Sequence, residues 1–207
     1  MSTARAVADA VARGQGIAAR IMGGWCVLYR PDLALQPLRP TRALMRLPVR
    51  FVAAGRRAGS LPHPVHEALL DSAYVRMGDV LVDAEAAVTW IVASCETFLP
   101  VLCVRAQRTV SVTRGGEVGG YGGAGPSVTL LTGWPASMVG AGGGIDQAGI
   151  AGDVAPGSWS VLLPLLPNDG LPRAGDVLRD DLGRRGVVTV ADPTANGWHL
   201  MVRQAVP

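Results

Sequence analysis

The run GDVLVDAEAAVTWIVASCETFLPVLCVRAQRTVSVT, from Gly78 to Thr113, decides the fold. Val80–Val82, Val88–Ala93, Leu99–Arg105 and Thr109–Thr113 are short, rich in β-branched residues and spaced by about ten residues, and the last alternates cleanly between apolar and polar positions. Four such segments predict an antiparallel barrel or sandwich. Taking the apolar phase of each run, and of those that follow, as the core face puts Val80, Ile91, Leu102, Val110, Leu162, Val177, Val188 and Leu200 inward.

Working toward the C-terminus, 115–126 and 140–157 are glycine-rich and predict projecting loops. Between them Val128–Met138 is β-like and broken by a turn at Gly133-Trp134-Pro135. Trp159–Leu166 predicts another strand. Val177–Arg179, Gly186–Ala191 and His199–Arg203 predict a three-strand meander. A faint echo joins the two ends of this body. Gly78-Asp-Val-Leu-Val-Asp83 returns as Gly175-Asp-Val-Leu-Arg-Asp180, and Ile91–Ser94 has a counterpart at Thr189–Asp192 with a one-residue shift.

Toward the N-terminus, Ser2 or Thr3 caps a helix to about Met22, stopped by Gly23 and Gly24. Its apolar stripe, through Val7, Val11, Ala18 and Ile21, is thin, so docking on another subunit or in a groove is expected. Six prolines between Pro31 and Pro64 argue against a long helix or a central strand there and predict an extended segment. The chain therefore reads as mainly β, with small antiparallel β-barrel or sandwich units and an N-terminal α-helical and Pro-rich extended arm. The expected parts are an arm over 1–64, a first β part over 65–114, glycine-rich loops over 115–157, and a meander over 158–207. That meander completes the β body or forms a second small unit.

With 207 residues, the chain is long enough for a substantial core. Only 17% of it is charged and 49% is apolar, which predicts that part of its surface is covered by something other than water. All nineteen basic residues are Arg. The absence of Lys excludes P-loop phosphate binding through lysine and Schiff-base catalysis. Residues 1–57 carry ten Arg against Asp9 and Asp32, whereas 58–207 carry nine Arg and fourteen acids. A basic arm before an acidic body can meet nucleic acid, an anionic membrane or the acidic face of a partner subunit, and the dispersed spacing of its Arg favours the last. Cys26, Cys95 and Cys103 form no CxxC pair and read as reduced, buried thiols. Asp9, Arg13 and Arg20 interrupt any signal-peptide core, and no apolar run approaches a membrane span.

The chemistry-bearing motifs are weak. Gly120, Gly122 and Gly125 satisfy G-x-G-x-x-G, but Pro126 and a β-rich segment follow where a dinucleotide site needs a helix. His63 and His66 sit as H-P-V-H, but Pro62 and Pro64 keep this stretch off a helix, and no third ligand is nearby. Asp180 and Asp181 sit in a turn beside Arg184 and Arg185, where solvation accounts for them. No G-x-S-x-G occurs. No catalytic, cofactor-binding or metal-binding residue is assigned, no cofactor is expected, and the chain reads as non-enzymatic. The residues expected to bind partners are Arg5, Arg13, Arg20 and Arg30 of the basic arm, the aromatics Trp25, Tyr29 and Phe51, and Tyr121 in the first glycine loop.

The stretch from Gly175 through Gly183-Arg-Arg-Gly-Val-Val-Thr-Val190 to Gly197-Trp-His-Leu-Met-Val-Arg203 resembles the G-D-x-h…G-R-x-h-x-V…h-x-h-x-x-R pattern of small β-barrel neck and tail proteins of tailed bacteriophages and prophages. Gly78–Asp83, Thr89–Ala93, Leu99–Arg105 and Arg108–Val112 are similar to prophage proteins of the same neighbourhoods. Where the pattern carries an aromatic, this chain has Gly186. The resemblance implies a virion subunit at the neck or tail, assembled in the host cytoplasm. Its partners would be further copies in a ring and other virion proteins. Nucleic acid would be met only incidentally, in a channel, with no membrane and no small-molecule substrate. The alternative reading is a soluble β-domain binding module, for carbohydrate, with Trp134 or Trp159 as a stacking platform.

Overall fold

The computed structural model describes residues 3–55, 63–116, 126–140, 157–167 and 171–205. Helix α1 (Thr3–Met22) is followed by twelve strands: β1 (Gly24–Tyr29), β2 (Ala43–Ala53), β3 (Val65–Leu69), β4 (Val80–Asp83), β5 (Val88–Ser94), β6 (Val101–Ala106), β7 (Arg108–Arg114), β8 (Val128–Gly140), β9 (Ser158–Leu163), β10 (Val177–Asp180), β11 (Arg185–Thr194) and β12 (Gly197–Gln204). They close into two antiparallel barrels. The first runs β1-β2-β3-β6-β5-β4 and the second β7-β8-β9-β12-β11-β10. Closure removes the unpaired edges that an open sheet of this apolar content would expose.

The two barrels share one plan, strand for strand. Tyr29 lies opposite Val80 as Thr113 lies opposite Val177, and Arg50 opposite Leu69 as Ser137 opposite Leu162. Even the irregularity repeats. The β5–β6 ladder slips between Val92 and Ser94, and the β11–β12 ladder slips between Val188 and Val190. The echo of Gly78–Asp83 in Gly175–Asp180 is thus a true structural correspondence. Its second half is out of place, because Val92 corresponds to Val188 and not to Val190: each accepts from the glycine of its own turn (Gly78 N–H and Gly175 N–H, 2.9 and 2.8 Å).

The same turn is built twice from the same groups. Gly78 and Gly175 adopt φ of 87° and 94°, conformations that favour glycine. The aspartate that follows is buried. Asp79 accepts from Arg30 Nε and Nη2 at 2.8 Å each and from the Arg76 amide at 2.8 Å. Asp176 accepts from Arg114 Nε and Nη2 at 2.8 and 2.9 Å and from the Arg173 amide at 2.7 Å. Arg30 also reaches the Tyr74 carbonyl, and Arg114 the Leu171 carbonyl. A carboxylate taken from water needs this full set of donors.

Several expectations are corrected. The segment read as an extended arm contributes β1 and β2, two of the six staves of barrel one. Proline does not prevent this. β2 pairs with β1 through Ala43–Val49 and with β3 only through Arg50–Ala53, so Pro48 sits where one side of the strand has no ladder. Pro135 occupies the matching place in β8, which pairs with β7 up to Ala136 and with β9 from Ser137. Gly133-Trp134-Pro135 is therefore no turn. Gly133, at φ 73°, lies at a bulge within one long strand.

Val110, Val188 and Leu200 do face a barrel interior. Val80, Ile91, Leu102, Leu162 and Val177 belong to the opposite phase. Leu81, Trp90, Val92 and Cys103 fill barrel one, and Leu178, Val161 and Leu163 help fill barrel two. Leu102 and Leu162 are buried all the same, in a seam between the barrels with Val65, Ala93 and Val104. Strands apolar on both faces carry no readable phase. Cys26 and Cys103 are buried, while Cys95 is exposed. Burial pushes the Cys26 thiol up to about 12, with Asp83 adding to the effect. The glycine loops fall almost wholly outside the described residues.

The barrels also lock together. Gln107 is the single residue between β6 and β7, and its Nε2 donates to the Met138 carbonyl at 2.8 Å. The β1–β2 loop crosses to barrel two, where Gln36 N–H donates to the Thr132 carbonyl at 2.8 Å and Trp134 Nε1 donates to the Ala34 carbonyl at 2.6 Å. Asn196, at the β11–β12 hairpin tip, donates back to the Ala93 carbonyl at 3.1 Å.

Candidate interaction surface

Helix α1 lies on barrel one, against β2, β3 and the 3-10 turn Ser72–Tyr74. The thin stripe, expected to dock on another subunit or in a groove, docks on the chain's own barrel because its contact residues are small. Ala12 and Ala19 are buried. A Cβ on Gly16 would lie 3.0 Å from Asp71 Cβ, and one on Gly23 only 2.4 Å from the Val49 carbonyl oxygen. Small side chains let the helix backbone approach closely, so little apolar bulk is required. The larger apolar side chains, Val7, Ile17 and Ile21, are left facing outward, Ile21 at 78% exposure.

On one flank of α1 a groove of about 490 Å³ runs between the helix and β1–β2. Arg13, Ile17 and Arg20 supply its helix side, and Trp25, Met45 and Arg46 supply its strand side, with Tyr74 at one end. Trp25 is 48% exposed, and the Arg46 guanidinium stands 5.8 Å from its ring centroid. Cross-strand pairing with Pro48 holds Trp25 in place. Three guanidinium groups against Asp71 leave the groove positive, and its floor is apolar and aromatic. It suits an anionic segment that also carries aromatic or aliphatic side chains. The opposite flank of α1 has a smaller groove, about 180 Å³, lined by Asp9, Glu96, Phe98 and Leu99 among others.

Of the residues expected to bind partners, Arg13, Arg20 and Trp25 meet in the larger groove. Arg5 is exposed on α1, and Tyr29 is half-buried on β1. Arg30 is engaged by Asp79, whose hydrogen bonds raise its pKa further. Phe51 stacks on Trp90 at a centroid distance of 4.1 Å, inside barrel one. Tyr121 lies outside the described residues. Arg46, Met45 and Tyr74 were missed: each lies far in sequence from α1, and only barrel closure brings them beside it. Trp134 and Trp159 are both buried, so neither offers a stacking platform. Trp25 is the exposed tryptophan.

A second polar cluster lies between the barrels. His63 Nδ1 is 3.1 Å from Ser137 Oγ, and Ser160 Oγ lies 3.3 Å from His63 Nε2 and 2.8 Å from His199 Nε2. Burial, with a smaller contribution from His199, lowers the His63 pKa to about 4. Among the described residues the hydroxyl joins two imidazoles, and no carboxylate is hydrogen-bonded to either. At 4% exposure Ser160 has no approach for a substrate, so the cluster is a clasp between β-barrels. His66 is elsewhere, edge-on to Trp90 at 4.8 Å. Among the described residues no group of three or more His, Cys, Asp or Glu is placed to hold a metal ion. Asp180 is also buried rather than solvated, and it accepts from the Leu182 and Arg184 amides and from Arg184 Nε.

No protein-family model matches the chain, and comparison with curated proteins and with solved structures finds no match either.

Proposed function

We propose that this chain is a non-enzymatic structural subunit of a multi-protein assembly, at the neck or tail of a tailed-phage virion, where it joins head to tail or anchors a tail appendage. The observation that carries the reading is the positive, aromatic-floored groove of α1 and barrel one, carried on a two-barrel block braced at several separate points. A structural subunit needs a scaffold that holds its shape and a face left for a neighbour, and both features serve that end. The resemblance of Gly78–Val112 and Gly175–Arg203 to neck and tail proteins supplies the setting. A carbohydrate-binding module is less favoured, because the two tryptophans best suited to stacking by sequence are core residues.

The test is composition. Tailed particles purified from the source that encodes this chain should contain it at a fixed number of copies per particle, resistant to high-salt washing. Absence of the chain from such particles would overturn the proposal.

A further inference from the structure

We infer that the groove of α1 receives a second copy of this chain, specifically the loop 95–100 between β5 and β6. This deepens the assembly reading above and rests on it. The two grooves on either flank of α1 are complementary. One presents Arg13, Arg20 and Arg46 around Trp25. The other presents Asp9 and Glu96 beside Phe98 and Leu99, which are 49% and 38% exposed. An aromatic and an aliphatic side chain next to an acid match an apolar floor ringed with guanidinium groups.

Backbone geometry points the same way. Phe98 has φ of 71°, in the left-handed region that a bulky residue rarely adopts. The loop thus leaves a large apolar side chain half-exposed, in a strained conformation, at the edge of the smaller groove. Strain of this kind persists where it serves a contact. The knob and the groove are separate patches of one chain, so the loop of one copy fills the groove of another. A reciprocal two-fold pair would close at two copies, whereas a contact that each copy passes to the next repeats until a ring closes or a filament grows.

Sedimentation of the full-length chain and two surface variants decides this. Phe98→Ser removes the knob, and Arg20→Glu with Arg46→Glu reverses the groove. All three positions are solvent-exposed, and unchanged circular dichroism and melting verify that each variant folds. The unaltered chain should form oligomers that weaken as salt rises. Each variant alone should sediment as a single chain, with association weakened at least about tenfold, the loss expected for a central aromatic or charged anchor. An equimolar mixture should form a one-to-one dimer and stop there, because one intact knob and one intact groove remain. Variants that assemble like the unaltered chain, or a mixture that stays monomeric, would overturn the inference. So would an unaltered chain that stays monomeric yet is present in particles, and in that case the structural role survives while the groove serves a different protein.

Discussion

Single positions in one barrel predict the behaviour of their counterparts in the other. Ala87 and Gly183 occupy the same place in the β4–β5 and β10–β11 turns, with φ of 53° and 80°. Alanine is strained there and glycine is not. Ala87→Gly should therefore be neutral or stabilising by up to about 1 kcal/mol, and Gly183→Ala should destabilise by about 1 kcal/mol. Urea midpoints of the two variants check the opposite signs. His63 gives a second expectation at this scale. Its folded pKa of about 4 lies below the 6.5 of an unfolded histidine, so between those values the unfolded chain binds the extra proton. Stability should be level above pH 6.5, fall by up to about 3 kcal/mol as pH drops toward 4, and level again for this group below that. His63→Gln should flatten that part of the profile. An unchanged slope in the variant would assign the loss to other groups.

At the scale of elements, the duplicated turn accounts for what the sequence disclosed and what it concealed. Gly-Asp followed by β-branched residues marked the starts of β4 and β10, because a turn glycine and a capping carboxylate are local signals. The partners of that carboxylate, Arg30 and Arg114, are 49 and 62 residues away and carry no mark of their own. β1 and β2 were hidden by Pro48, whose tolerance depends on the switch of partners at Arg50. Gly186 illustrates the same limit. It stands where barrel one has Trp90, and a Cβ on it would lie 3.0 Å from Trp159 Cζ3. Trp159, in turn, takes the β9 position that matches His66 in β3. The large ring has moved two strands over, across β12, so the barrel interior is filled while the linear pattern loses its aromatic. Since each buried aspartate serves one barrel, Asp79→Ala and Asp176→Ala should have similar effects. Each strands a half-exposed arginine and unpairs the Arg76 or Arg173 amide. Each should cost about 2–4 kcal/mol by chemical denaturation. A loss confined to one of the two would show that the turns are alike in geometry but not in load.

For the whole molecule, the charge asymmetry of the sequence survives, but the arm does not. α1, β1, β2 and the β1–β2 loop are all used within the chain, so removing residues 1–57 should destroy barrel one instead of releasing an intact β body. The groove remains because α1 docks through Ala and Gly and keeps its larger side chains outside. What makes one block of two barrels is the seam. Leu162 points out of barrel two against Val65, Ala93, Leu102 and Val104, and burying a leucine of this kind stabilises by about 1.5–3 kcal/mol. The His63 clasp, Asn196 and the crossing of the β1–β2 loop brace the same junction. The two barrels should therefore melt together, in one transition seen alike by calorimetry and by tryptophan fluorescence. Leu162→Asp puts an unpaired charge in the seam without entering either barrel interior. It should split the transition in two, with β circular dichroism retained below the first. Leu163→Asp, one residue on and inside barrel two, should instead abolish that barrel outright. If Leu162→Asp melts in a single transition near that of the unaltered chain, the seam does not couple the barrels, and the groove of barrel one would be carried on a flexible pair.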